Sequence, residues 1–260
     1  MQSVDSRRGR RGRAAYNDRM AFVHLRMHSE YSVVDGMLRI DAAAEAARAD
    51  GQVALAITDL NNLFGAVQFY QACRGQGVKP ILGVDLWMEP FGADKQPSRL
   101  LLLVQNMQGY LNLCELLARG WTCNAQRTQA WIKWAWLEEL NQGLIALSGA
   151  DGGVVGMALL AGDAPRAQAM AQRLAQCFAG RFYIELQRVG LASNETHVRR
   201  AVAQAATLRL PVVATHPVQF LEAEDPTPEG QDLGAAGLVE QVGGHAHGDV
   251  VEAGGTGHEV

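Results

Sequence analysis

Residues 54–88 read ALAITDLNNLFGAVQFYQACRGQGVKPILGVDLWM, and the fold is decided in this stretch. The run Val53–Thr58 is short, apolar and rich in β-branched residues, as a strand buried on both faces should be. Asn61 or Asn62 can cap the helix that follows, which runs to about Gly75 and ends in a glycine-rich turn. Val78–Met88 is strand-like again. Strand, helix and strand in this order predict a parallel βαβ unit with a right-handed crossover.

Working outward, the same alternation continues. Phe22–His28 reads as a strand and Ala42–Ala49 as a short alanine-rich helix. Further strands are predicted at Leu100–Val104, Leu144–Leu147, Phe182–Leu186 and Val212–Thr215. Helical spacing marks Tyr110–Leu117 and Ser193–Leu208, the latter with Arg199 and Arg200 on its exposed side. Seven strand candidates in one domain spanning residues 20–225 suit a β/α barrel better than an open two-domain sheet. No G-x-G-x-x-G follows the first strand and no G-x-x-x-x-G-K-[ST] occurs, which leaves Rossmann and P-loop readings without support.

The 260 residues carry a formal charge of -4, but the charge is unevenly placed. Residues 1–19 hold six Arg against two Asp, and from Glu222 onward nine acidic residues meet no Lys or Arg. Residues 1–19 read as a disordered basic arm, with phosphate binding as the alternative. Residues 226–260 read as a disordered Gly-rich acidic tail, and His245, His247 and His258 within it have no apolar support for a metal site. No apolar run approaches the roughly 18 residues of a membrane span, and the Arg-rich opening does not resemble a secretory signal. Cys73, Cys114, Cys123 and Cys177 form no C-x-x-C pair, against a zinc ribbon and in favour of reduced thiols in the cytoplasm.

In a barrel the reactive residues lie at the C-terminal ends of the strands. Here these are His28, Asp59, Asp85, Arg188 and His216. His28, Asp59 and Asp85 at one mouth offer imidazole and carboxylate to zinc, manganese or iron. Spacing alone leaves the alternative open, since an Asp after a strand often caps a helix. Tyr31 and Ser32 are read as loop packing and capping groups as readily as catalytic ones.

Longer stretches carry a resemblance. FVHLRMHSEYSVVDGMLRI (22–40), the 54–88 segment, LLLLVQNMQGYLNLCELL (100–117), WLEELNQGLIALSGA (136–150), RFYIELQRVG (181–190) and LPVVATHPVQFLEAED (210–225) follow one another with intact spacing. In this order they resemble the polymerase-and-histidinol-phosphatase (PHP) domain family, in the form that opens the alpha subunit of the bacterial replicative DNA polymerase III. The resemblance implies a distorted seven-stranded β/α barrel. It also implies a parent that is a DNA-directed DNA polymerase, a nucleotidyltransferase of cytoplasmic DNA replication.

Metal-dependent members carry a His-x-His pair where this chain has Arg26 and His28, and Thr-Asp-His where it has Thr58, Asp59 and Leu60. The third-strand carboxylate corresponds to Asp85. Arg99 and Arg188 stand at further histidine positions, and Pro217 and Gln219 replace a closing Asp-x-His. Of the ligand set only His28, Asp59 and Asp85 remain, which predicts a vestigial site without catalytic residues, holding no cofactor firmly and at most a weak divalent metal. Arg26, Arg99 and Arg188 are expected to pair with Asp59 and Asp85. The resemblance further implies a scaffold that docks the proofreading exonuclease subunit within the polymerase III holoenzyme and meets primed DNA only through the parent protein. The alternative is a stand-alone metal-dependent phosphoesterase. The Trp-rich segment Trp131–Trp136 is expected to be exposed, as part of a docking surface or as packing against the barrel. The switch in composition near Pro226 reads as a truncation or frameshift of the parent sequence.

Overall fold

The computed structural model describes residues 22–92 and 96–221. The expectations for the basic arm, for the tail and for its histidines lie outside the described residues. In chain order the elements are α1 (Ile40–Ala49), β1 (Ala54–Ile57), α2 (Ala66–Gln76), β2 (Lys79–Met88), β3 (Ser98–Val104) and α3 (Met107–Cys123). A two-residue hairpin, β4 (Ala125–Gln126) and β5 (Gln129–Ala130), leads to α4 (Trp134–Glu139) and β6 (Leu144–Leu147). The rest is α5 (Val154–Leu160), α6 (Ala164–Cys177), β7 (Phe182–Leu186), α7 (Ala192–Leu208) and β8 (Val212–Ala214).

Local chemistry explains most of these boundaries. Helix α1 buries Ile40, Ala43, Ala44 and Ala47, one stripe at helical spacing. Helix α2 ends at Gly77, whose φ of 74° is the left-handed conformation that lets the chain turn straight into β2. Its start departs from expectation: the N-cap is Gly65, and neither Asn61 nor Asn62 caps it. Asn61 instead takes φ 53°, donates to Ala130 O at 2.7 Å and accepts from Trp87 N at 3.1 Å. Those bonds fasten the hairpin to β2. Helix α3 is capped by Asn106, which accepts from Gly109 N, and α7 leaves Arg199 and Arg200 exposed as expected.

The main sheet has the order β1-β2-β3-β6-β7-β8. β1/β2, β6/β7 and β7/β8 are parallel, whereas β3 runs antiparallel to both neighbours. A uniformly parallel sheet is thus corrected: the few residues between Met88 and Ser98 are too few for a crossover helix, so β3 folds back as a hairpin partner. The predicted first strand, Phe22–His28, is an irregular staple. On one side Ala56 N donates to His24 O and Thr58 N to Met27 O; on the other His28 N donates to Val218 O at 2.9 Å. This segment bridges the two edges of a curled sheet, so the barrel has six regular strands and one irregular seventh.

Apolar side chains fill both faces of the curl. The outer layer packs residues such as Val84, Leu86, Leu102 and Phe182 against the helices. The inside holds Ala56, Leu101, Leu103 and Leu147, flanked by the partly buried Leu25, Ile81 and Tyr183. At the end where β2, β6 and β7 begin, the interior opens into an apolar cavity of about 680 Å³. The opposite end is polar and closed.

The Trp131–Trp136 segment is not exposed. Trp134 on α4 is 6% exposed and meets Phe91 edge-on at 5.3 Å, with the Arg173 guanidinium over both rings. Trp131 and Trp136 are half-buried. The segment packs against the barrel because burying its large rings contributes more than leaving them in water.

Candidate functional site

Asp85 lies on the inner face of β2 and is completely buried. A carboxylate in that position needs cations or donors around it, and the chain supplies three. Arg26, from the irregular first segment, donates its Nη1 to Asp85 Oδ2. Arg99, from β3, donates Nε to Oδ1 at 3.1 Å and Nη2 to Oδ2 at 2.6 Å. His28 Nε2 lies 3.3 Å from Oδ2. The antiparallel pairing of β2 and β3 places Arg99 opposite Trp87, and the guanidinium stacks on that indole at 4.5 Å.

The network continues past Asp85. Arg26 also donates to Glu185 through Nε at 2.9 Å and Nη2 at 3.2 Å. Glu185, on β7, is wholly buried and accepts further from Thr215 Oγ1 at 2.6 Å, Gly149 N at 3.0 Å and Gln187 Nε2 at 3.1 Å. On the other flank His28 Nδ1 lies 3.0 Å from Asp35 Oδ1, and Asp35 accepts from Ser32 Oγ at 2.7 Å. Arg26 and Arg99 thus meet Asp85 and Glu185, and His28 lies between Asp35 and Asp85, in one continuous buried network.

Titration follows from these contacts. Burial alone would raise Asp85, but Arg26 and Arg99 hold its carboxyl well below the usual range. Burial would lower His28, but Asp35 and Asp85 outweigh it and the imidazole is raised. Asp35 is lowered despite burial, mainly by His28 and Ser32.

Asp59 is held differently. It accepts from Ser29 N at 2.6 Å and Ser29 Oγ at 2.8 Å, and burial raises its pKa in spite of those bonds. Among the described residues no arginine reaches it, so the expected pairing of Asp59 with Arg26, Arg99 or Arg188 is corrected. Arg188 itself is outside the mouth: it pairs with Glu195 at 2.9 Å on the surface, with 69% of its side chain exposed. Leu60 forms a bridge beside Asp85, and Leu60 N donates to Ser32 Oγ, which makes Ser32 a loop-fastening group. Pro217 and Gln219 flank Val218, the residue that closes the curl against Met27. His216 lies edge-on to His24, 6.4 Å between ring centres.

Of the predicted strand-end set, the structure brings together His28 and Asp85, with Asp59 behind Ser29. Glu185 and Asp35 are participants that sequence reasoning missed. Glu185 had a signal: a lone acid inside the apolar strand FYIEL has to be answered by a buried cation. Asp35 sits in a loop and had none.

A divalent metal fits this arrangement poorly. Both oxygens of Asp85 already accept from guanidinium groups, and an ion there would face two fixed positive charges at close range. Among the described residues no group of three or more His, Cys, Asp or Glu is arranged to hold a metal. No described helix is long and apolar enough to cross a membrane.

Comparison with known proteins agrees with this architecture. The chain is similar to the DNA polymerase III subunit alpha of Pseudomonas aeruginosa, 42% identical over 206 residues, and to that of Escherichia coli K12, 39% identical over 204 residues. The matches cover 79% and 78% of this chain but only 18% of either relative. Among solved structures it resembles a putative metal-dependent phosphoesterase from Bifidobacterium adolescentis, with a TM-score of 0.53 at 11% identity, covering 85% of this chain and 94% of the other. That likeness speaks for the fold alone. The PHP domain profile matches residues 24–189, from the irregular first segment to just beyond β7. A curled sheet closed by its first segment, a polar mouth built on His28, Asp59 and Asp85, and close relatives along most of the chain have one reading: this chain belongs to the PHP domain family.

Proposed function

We propose that this chain is the PHP domain of a replicative DNA polymerase III alpha subunit, and that it acts as a noncatalytic scaffold. The observation that carries the reading is the enclosure of Asp85 by Arg26, Arg99 and His28. Metal-assisted phosphoester hydrolysis needs open coordination positions for substrate and water, and here the central carboxylate is occupied by side chains that cannot leave without stranding a buried charge. In this reading the domain supports the polymerase core, docks the proofreading exonuclease subunit, and meets primed DNA only through the rest of the polymerase, in the cytoplasm. Nucleotidyl transfer belongs to the remaining length of such a polymerase.

The test is a titration with manganese or zinc, read by calorimetry and by hydrolysis of a phosphomonoester and of single-stranded DNA. Neither tight stoichiometric binding nor metal-dependent turnover is expected. A stoichiometric tight site that Asp85→Ala abolishes would overturn the reading in favour of a stand-alone phosphoesterase.

A further inference from the structure

The closing segment Phe22–His28 is held in two halves. The second half is anchored by side chains: Arg26 and His28 reach into the buried network of the mouth, and Met27 is wholly buried. The first half has less to hold it. Ala56 N donates to His24 O at 2.9 Å, Leu25 is partly buried inside the curl, and the ring of His24 is 2% exposed.

His24 Nδ1 is buried and has no hydrogen-bond partner among the described residues. Phe22 meets the ring edge-on at 5.0 Å, on a different side of the segment's seam from the mouth network, and His216 meets it at 6.4 Å. A neutral imidazole can keep Nδ1 as an unprotonated lone pair. The charged ring makes donors of both nitrogens, and one of them would then be buried without an acceptor. The titratable groups that act on the ring are His216, on the stretch after β8, and Asp50, at the end of α1. Asp50 favours the charged ring but already accepts from Gln52 Nε2 at 3.0 Å. Arg48 on the same helix is turned to Gln76, and Arg188, which shares a depression with Phe22 and His216, is paired with Glu195. Strand β1 brings no titratable side chain. Burial and the repulsion of His216 outweigh Asp50 and hold the imidazole down at about 4.

We propose that protonation of His24 releases the Phe22–Leu25 half of the closing segment, so that acid opens the barrel seam at Ala56 and leaves the mouth half in place. Once released, the ring is in water and takes its ordinary 6.5. Closure is therefore complete above 6.5 and weakens as pH falls toward 4.

The test is amide hydrogen exchange on the full chain, followed by NMR between pH 7 and pH 5 and corrected for the intrinsic pH dependence of exchange. Ala56 N–H, bonded to His24 O, reports the first half; Thr58 N–H, bonded to Met27 O at 2.8 Å, reports the second. Protection at Ala56 is expected to fall roughly tenfold or more over that range, with a much smaller change at Thr58. In His24→Phe, which keeps a ring that cannot charge, the fall at Ala56 is expected to vanish. Titration of the His24 ring protons in the unaltered chain needs no substitution and is expected to give a midpoint well below 6.5. An ordinary midpoint, protection at Ala56 that does not change with pH, an equal loss at Thr58, or a fall that persists in folded His24→Phe overturns the proposal.

Discussion

Asp59 follows the end of β1 and Asp85 lies within β2, the parallel neighbour of β1, and both are buried in one mouth. Their solutions are opposite. Asp85 is surrounded by two guanidiniums and an imidazole, and its carboxyl is held far down. Among the described residues Asp59 accepts hydrogen bonds only from the N–H and hydroxyl of Ser29, and burial pushes its carboxyl up. Residue type and strand position therefore do not set the chemistry of a buried acid. What sets it is which cations the fold delivers, and Arg26 and Arg99 both arrive at Asp85.

The largest expected effect tests the enclosed acid. Asp85→Ala strips Arg99 and His28 of their shared carboxylate, leaves Arg26 with Glu185 alone, and should cost about 3–5 kcal/mol of stability in urea unfolding. A loss as small as that from changing Asp59 would break the contrast. Glu185→Gln removes one of the two carboxylates on Arg26 and should cost about 2–3 kcal/mol, less than the loss of Asp85 because Asp85 keeps its hold on that guanidinium.

Asp59→Asn retains an acceptor for Ser29 and should cost about 1 kcal/mol or less at neutral pH, measured in the same way. Acid sharpens the comparison through opposite signs. The folded pKa of Asp85 lies below its ordinary 3.8, so its contribution is complete above that value and is lost as pH falls beneath it. The folded pKa of Asp59 lies above 3.8, so the folded state takes up that proton first and gains stability as pH falls from there toward 3.8. Relative to the unaltered chain, the deficit of Asp85→Asn should shrink below pH 3.8, whereas that of Asp59→Asn should grow as pH falls toward it. Unfolding midpoints measured between neutral and strongly acid pH decide this. The smallest effect belongs to Arg188→Ala, whose exposed pair with Glu195 should change stability by no more than about 0.5 kcal/mol. A large loss there would place Arg188 back in the mouth.

Much of the fold was legible in the chain. The limits of β6 and β7 coincide with the predicted Leu144–Leu147 and Phe182–Leu186, because short apolar runs between turn residues have few alternatives. Phe22–His28 was less legible: it has the composition of a strand, yet it joins two edges that are already curled and pairs with each only in places. Asn61 misled for a related reason, since an Asn before a helix reads as a cap, while its left-handed backbone and both amide atoms serve the neighbouring strand and hairpin.

The sequence by itself determined the alternation of strands and helices, the family, and the residues His28, Asp59 and Asp85 around which the mouth is built. The resemblance it carries implied that Arg26, Leu60 and Arg99 stand where metal-dependent relatives have ligands. Only the tertiary structure decided which acids these arginines answer, that Glu185 and Asp35 complete the network, and that Arg188 stays on the surface. The physical reason is range. Strand and helix follow from neighbours within a few residues, whereas a buried charge finds its partner across the barrel: Arg26 and Glu185 meet from 159 residues apart.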